Sequence, residues 1–225
     1  MPTQGSFRYH MTMKKILVIG ASSGIGLYVT RQALEKGHHV KAFARSAADI
    51  DINNPNLEKV RGDALSLNDV ESALADCDTV VSALGVKLNT KLITGPITLF
   101  SEATRILIPL MQQKNIKRLI CVTGFGAGES ISAINSFQKI GFNMVFGRAY
   151  SDKSLQEKSI IDSQLDWTIV RPGVLLNCSK PESYKILANK DEWRNGIITR
   201  KNVADFIVNE ITNNQYIHQA PVLVS

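Results

Sequence analysis

Cysteine is scarce in this chain: Cys77, Cys121 and Cys178 are the three among 225 residues, and they stand far apart. Widely separated thiols build neither a disulfide framework nor a cluster of metal ligands. Free thiols in a reducing cytoplasm, and no metal, are therefore expected. Cys121 falls in an apolar, strand-like run and reads as a buried structural thiol. The four histidines add no ligand set, and His38 and His39, at a helix-to-strand junction, read as solvated loop residues. No run of about 18 apolar residues occurs, which argues against a membrane span. The N-terminal MPTQGSFRYHMTM lacks the apolar stretch of a secretory signal, so residues 1–13 read as a disordered extension, with Met11 and Met13 as alternative starts. Acid is also missing at this end. Residues 1–15 carry Arg8, Lys14 and Lys15 but no Asp or Glu, so half of the net charge of +6 belongs to the extension and its junction. The remainder is close to balanced, which gives little support to a nucleic-acid partner.

What remains suits one α/β domain over residues 14–225: the length fits, and a hydrophobic content of 44% can fill a substantial core. The stretch ILVIGASSGIG at 16–26 sets four large apolar residues directly before three glycines and two serines. Ile16 to Ile19 read as a strand buried on both faces, because a continuous β-branched run without polar alternation suits the centre of a parallel sheet. Gly20, Gly24 and Gly26 follow, and then Leu27, Val29, Ala33 and Leu34 recur at helical spacing, with Gly37 as the stop before a strand at 39–43. Strand, glycine turn, helix and strand make a βαβ unit. Its turn lets the backbone approach a ligand, and the free amides of the helix start favour a pyrophosphate over Gly20 to Ile25. Ser22 and Ser23 add hydroxyls able to bond phosphate. The spacing is G-x-x-x-G-x-G rather than G-x-G-x-x-G, and no G-K-[ST] ending follows, which disfavours a P-loop nucleotidase.

Strand-like runs continue at 57–60, 79–83, 118–122, 167–170 and 222–224, alternating with helical patterns at 66–75, 96–114, 151–163 and 201–212. This alternation predicts a doubly wound parallel sheet of Rossmann-like type, in a single domain, with ligands bound outside the carboxyl ends of the strands. The second strand ends in VKAFARS, where Arg45 and Ser46 stand in place of an acidic residue. Arg accommodates a 2′-phosphate, so the cofactor expected is NADP(H); a charge that merely solvates the loop is the other role open to Arg45. The third strand runs into RGDALS, where Asp63 is placed either to accept from an adenine amino group or to hold a turn, beside the backbone of Ala64. After the fourth strand, Ala83, Leu84 and Gly85 are small or apolar beside the expected cofactor path, and Gly85 either admits a ribose or turns the chain.

Together these residues resemble the short-chain dehydrogenase/reductase superfamily, and within it the atypical NAD(P)H-binding group that includes NmrA-like proteins and the biliverdin reductase B/flavin reductase type. The resemblance runs from about Lys14 onward. Its most specific marks are LDWTIVRPGVL at 165–175 and ITRKNVADFIV at 198–208, which look like the group's late Arg-Pro-Gly strand and its final Arg-x-x-Val-Ala-Asp helix. The resemblance implies that Pro172, Gly173 and Val174 line the nicotinamide end. It also implies a Tyr-x-x-x-Lys pair, in which tyrosine moves the proton while lysine binds the nicotinamide ribose and lowers the tyrosine pKa.

This chain departs from that pattern. Lys153 takes the lysine position, but the matching tyrosine position is Ala149, with Tyr150 next door and about 100° away around a helix. Proton donation and packing are both open to Tyr150. The serine position after the fifth strand is Gly124, preceded by Thr123, which is the nearest substitute hydroxyl. Glu157, one turn after Lys153, reads mainly as an i,i+4 partner of that lysine. Phe125, Phe137, Phe142, Met144 and Phe146 make either a lid for a flat, aromatic substrate or a packing helix, and Arg148 beyond them either attracts an acidic substrate or is a surface charge. The expectation is an NADPH-dependent reductase that passes hydride to a planar or conjugated acceptor, as a monomer or homodimer. The competing reading is a non-enzymatic NADP(H) sensor, and a nucleotide-sugar isomerase or dehydratase ranks behind both.

Overall fold

A computed structural model describes residues 13–86, 97–133, 136–176 and 183–225, with the side chains of 136–147 left aside. Residues 1–12 of the extension expected at 1–13, Pro96, Cys178 and the side chains of Phe137, Phe142, Met144 and Phe146 lie outside the described residues. Among the described residues the chain order is β1 (Lys15–Ile19), α1 (Gly24–Glu35), β2 (His39–Ala44), β3 (Leu57–Arg61), α2 (Leu67–Ala73), β4 (Thr79–Ser82), α3 (Leu99–Gln113) and β5 (Arg118–Val122). It continues with α4 (Ser136–Ile161), β6 (Asp166–Pro172), β7 (Val174–Leu176), β8 (Lys185–Leu187), β9 (Ile197–Thr199), α5 (Arg200–Asn213) and β10 (Val222–Val224).

Eight strands form one sheet in the order β3-β2-β1-β4-β5-β6-β10-β8, parallel except where β8 meets β10, and β7 pairs with β9 in a separate ribbon. The sheet grows outward from β1 in both directions: Ile16 pairs with Val40 of β2 on one side and with Thr79 of β4 on the other. The crevice at such a reversal is where open α/β sheets bind ligands.

The apolar run of β1 divides between the two faces. Ile16 and Val18 join Val29 and Ala33 of α1 and Val203 and Ile207 of α5 in one core. Leu17 and Ile19 join Val70 of α2, Leu107 and Met111 of α3, and Ile160 of α4 in the other. Side chains of a strand alternate faces, so a strand covered on both sides must be apolar at every position. Cys121 is buried in the second core as read, and burial pushes its thiol up to about 12. His38 departs from expectation. It is fully buried at the α1–β2 junction, its Nδ1 accepts from the Lys14 amide at 3.2 Å, and burial lowers its pKa, whereas His39 is exposed. The expected helix at 151–163 is the second half of a 26-residue one, α4. None of the described helices is long and apolar enough to cross a membrane.

Candidate functional site

The carboxyl ends of β1 to β6 open into one cavity of about 1080 Å³. At its floor, β1 passes into the glycine turn. Gly20 has φ +85°, and a Cβ there would lie 2.7 Å from the Ala83 carbonyl, so the turn presses against the end of β4 and requires glycine. The Gly20 amide donates to the Phe43 carbonyl at 2.9 Å, which ties the turn to the end of β2 as well.

Helix capping distinguishes α1 from its neighbours. Ser66 caps α2 by accepting from the Asp69 amide, Thr199 caps α5 by accepting from the Asn202 amide, and Asp152 accepts from the Phe100 amide of α3 at 2.8 Å. Ser23, at the start of α1, makes no side-chain cap, and the first turn carries no acid. The unsatisfied amides of a helix start favour an anion, and these face the cavity beside Ser22, Ser23, Gly24 and Ile25. Glycines that hold the backbone open, an uncapped helix start and a cavity of this size fit a dinucleotide.

Arg45 and Ser46 line the cavity where β2 ends, and both are exposed. Asp63 and Ala64 line it after β3; Asp63 Oδ1 accepts from the Leu65 amide at 3.0 Å, so the carboxylate holds a turn while facing the cavity. Ala83, Leu84 and Gly85 follow β4 along the wall.

At the other end stand Thr123, Tyr150, Lys153 and Pro172. The Lys153 ammonium donates to the Thr123 carbonyl and lies 4.9 Å from the centroid of the Phe100 ring. Burial lowers its pKa to about 8, with the nearby acidic groups opposing the shift. Tyr150 reaches toward Gly124, where a Cβ would lie 2.8 Å from its hydroxyl, and burial raises its pKa. The displaced tyrosine and the missing serine thus meet in one contact.

Glu157 does not pair with Lys153. Its carboxylate accepts from Arg171 Nη2 at 2.7 Å and Nε at 3.1 Å, and from Thr123 Oγ1 at 2.6 Å; the Glu157 and Arg171 side chains are each 1% exposed. A guanidinium presents a two-pronged donor matched to a carboxylate, a better partner in the interior than a lysine already committed to a carbonyl. The Thr123 hydroxyl proton is consequently held by Glu157 rather than aimed at a substrate.

Gly173 and Val174 do not line the cavity. A Cβ on Gly173 would fall 2.3 Å from the Gly196 carbonyl, and Val174 is 54% exposed in β7. Because side chains alternate along a strand, Leu175 faces inward instead. Phe125 is buried in a small core with Leu187, Val222 and Val224. Sequence reasoning also missed Phe100, which nothing local marks, and Arg200, whose motif was legible but not its place at the cavity.

The profile of the NAD(P)H-binding family matches residues 20–214. An Arabidopsis thaliana relative, "Uncharacterized protein At2g34460, chloroplastic", is 26% identical over 208 residues, covering 90% of this chain and 73% of its own length. Among solved structures, ChuY of Escherichia coli O157:H7, described as an anaerobillin reductase, is 25% identical with a TM-score of 0.76, over 93% of this chain and 96% of that one. A short-chain dehydrogenase/reductase from Veillonella parvula DSM 2008, solved with NADP, has a TM-score of 0.80 over 94% of each chain; at 15% identity that likeness is one of fold.

Proposed function

We propose that this chain, which belongs to the NAD(P)H-binding family, is an NADPH-dependent reductase acting on a planar or conjugated acceptor. The observation that carries the reading is the layout of one cavity, which joins a glycine turn and an uncapped helix start to Arg45 at one end and to Lys153 and Tyr150 at the other. In this reading Arg45 holds a 2′-phosphate, the turn holds the pyrophosphate, Asp63 lies by the adenine, and Lys153 binds the nicotinamide ribose. When bound, the cofactor supplies the hydride. The chain's own work is to orient both partners, exclude water and deliver a proton from the Tyr150 hydroxyl to the reduced acceptor. The Lys153 ammonium favours the tyrosinate left behind.

Thr123 is tied to Glu157 and Gly124 has no hydroxyl, so neither position supplies a second hydroxyl beside Tyr150 to polarise a simple ketone. Flavins, quinones and open tetrapyrroles accept hydride with less help. The apolar wall of Leu99, Phe100, Ala149 and Leu175 suits such flat molecules, and ChuY's description as an anaerobillin reductase points the same way. The isolated buried thiols suit a reducing compartment such as the cytoplasm.

The test follows NADPH fluorescence on mixing with the protein and then with flavin, quinone, tetrapyrrole and small carbonyl acceptors. Oxidation that depends on one of the conjugated acceptors is expected. Saturable binding without oxidation by any of them would make the chain a nucleotide sensor instead.

A further inference from the structure

Among the described residues, four charged side chains line the cavity: Arg45, Asp63, Lys153 and Arg200. The first three have roles in the reading above. Arg200 opens α5, and its Nε lies 4.0 Å from where a Cβ on Gly24 would stand, so the guanidinium borders the glycine turn itself. Its position is braced. Gln32 of α1 donates to the Lys201 carbonyl at 3.1 Å, Thr199 caps the α5 start, and Val203 and Ile207 pack in one core with Val29 and Ala33. Neither α1 nor α5 carries an acid in its first turn, so the charge around the turn is positive from both helices.

We infer that the Arg200 guanidinium binds the pyrophosphate of the dinucleotide, supplying the cationic partner that the glycine turn lacks. Backbone amides alone give neutral donors, whereas a guanidinium adds charge-assisted bonds in a fork that matches two phosphate oxygens. The three cations then divide the cofactor: Arg45 at the 2′-phosphate, Arg200 at the pyrophosphate and Lys153 at the nicotinamide ribose. The inference rests on the dinucleotide reading of the cavity. It differs from the Arg45 assignment in one respect: NADPH and NADH share the pyrophosphate, so Arg200 serves both equally.

The experiment measures dissociation constants of NADPH and NADH by fluorescence for the wild-type chain, Arg200→Met and Arg200→Lys. Arg200→Met is expected to weaken both nucleotides by the same factor, about ten- to a hundredfold, and to reduce the salt dependence of binding, with Arg200→Lys between it and the wild type. Thermal unfolding without nucleotide should match the wild type for Arg200→Lys, which keeps the aliphatic stem. Unchanged affinities would overturn the assignment, as would a loss confined to NADPH. A wild-type chain that binds neither nucleotide would overturn the dinucleotide reading itself, a failure distinct from normal wild-type binding with an unaffected variant.

Discussion

At the scale of single residues, the proposed chemistry concentrates in the contact between Tyr150 and Gly124. The Tyr150 hydroxyl has room only because residue 124 has no side chain. Tyr150→Phe is expected to slow turnover about 100-fold or more with NADPH affinity unchanged. Gly124→Ala should slow it too, by displacing the hydroxyl, and should add nothing in the Tyr150→Phe background; steady-state kcat beside the NADPH dissociation constant checks all three variants. Lys153 contributes a pH dependence whose sign follows from its burial. Its pKa falls from the ordinary 10.5 to about 8, so the folded chain loses this proton before the unfolded chain does. Below about 8 both states hold it and the desolvation cost to stability is fully present; between about 8 and 10.5 that cost is relieved as pH rises. In the proposed mechanism turnover runs the other way, because the ammonium form would orient the ribose and support the tyrosinate. A profile of kcat/KM should therefore descend above about pH 8, and Lys153→Arg, charged throughout, should remove that limb.

Between elements, the carboxylate of Glu157 joins α4 to the ends of β5 and β6 through Thr123 and Arg171. The network extends to Trp193, whose ring centroid lies 4.8 Å from the Arg171 guanidinium. Gly128, at φ +52°, admits this carboxylate, since a Cβ there would fall 2.0 Å from Glu157 Oε2. Removing one partner of a buried ion pair strands the other without water. Glu157→Ala is thus expected to cost about 3–5 kcal/mol, read as a lowered midpoint in urea unfolding, and to loosen the β5 end that supplies the Lys153 carbonyl contact. Asp152 does related work for α3, accepting from the Phe100 amide and so fixing that ring beside Lys153.

For the whole molecule, binding and stability are linked. A ligand that binds only the folded chain stabilises it by about 2.7 kcal/mol at a hundred times its dissociation constant. NADPH should therefore raise the unfolding temperature more than equimolar NADH. Arg45→Ala should erase the difference, because it removes the contact proposed for the 2′-phosphate alone. Thermal unfolding of the two proteins with each nucleotide gives the comparison.

The sequence by itself determined the alternation of strands and helices, the glycine turn and the parallel sheet, because these rest on local signals: buried β-branched runs, helical periodicity and residues that tolerate positive φ. It also placed Arg45 and Asp63 at strand ends, where a doubly wound sheet opens onto its ligand, whereas Tyr150 and Lys153, expected at a helix start, lie in the interior of the 26-residue α4. Only the tertiary structure decided the partners. Glu157 took Arg171 rather than the lysine one turn away, because a buried carboxylate favours the forked donor that the neighbouring strand brings in. His38 was drawn inside by the packing of α1 on β2. Arg200, which lies 176 positions beyond Gly24, reached the glycine turn because α5 packs against α1. Contacts of this kind depend on which faces meet in space, and no spacing along the chain encodes them.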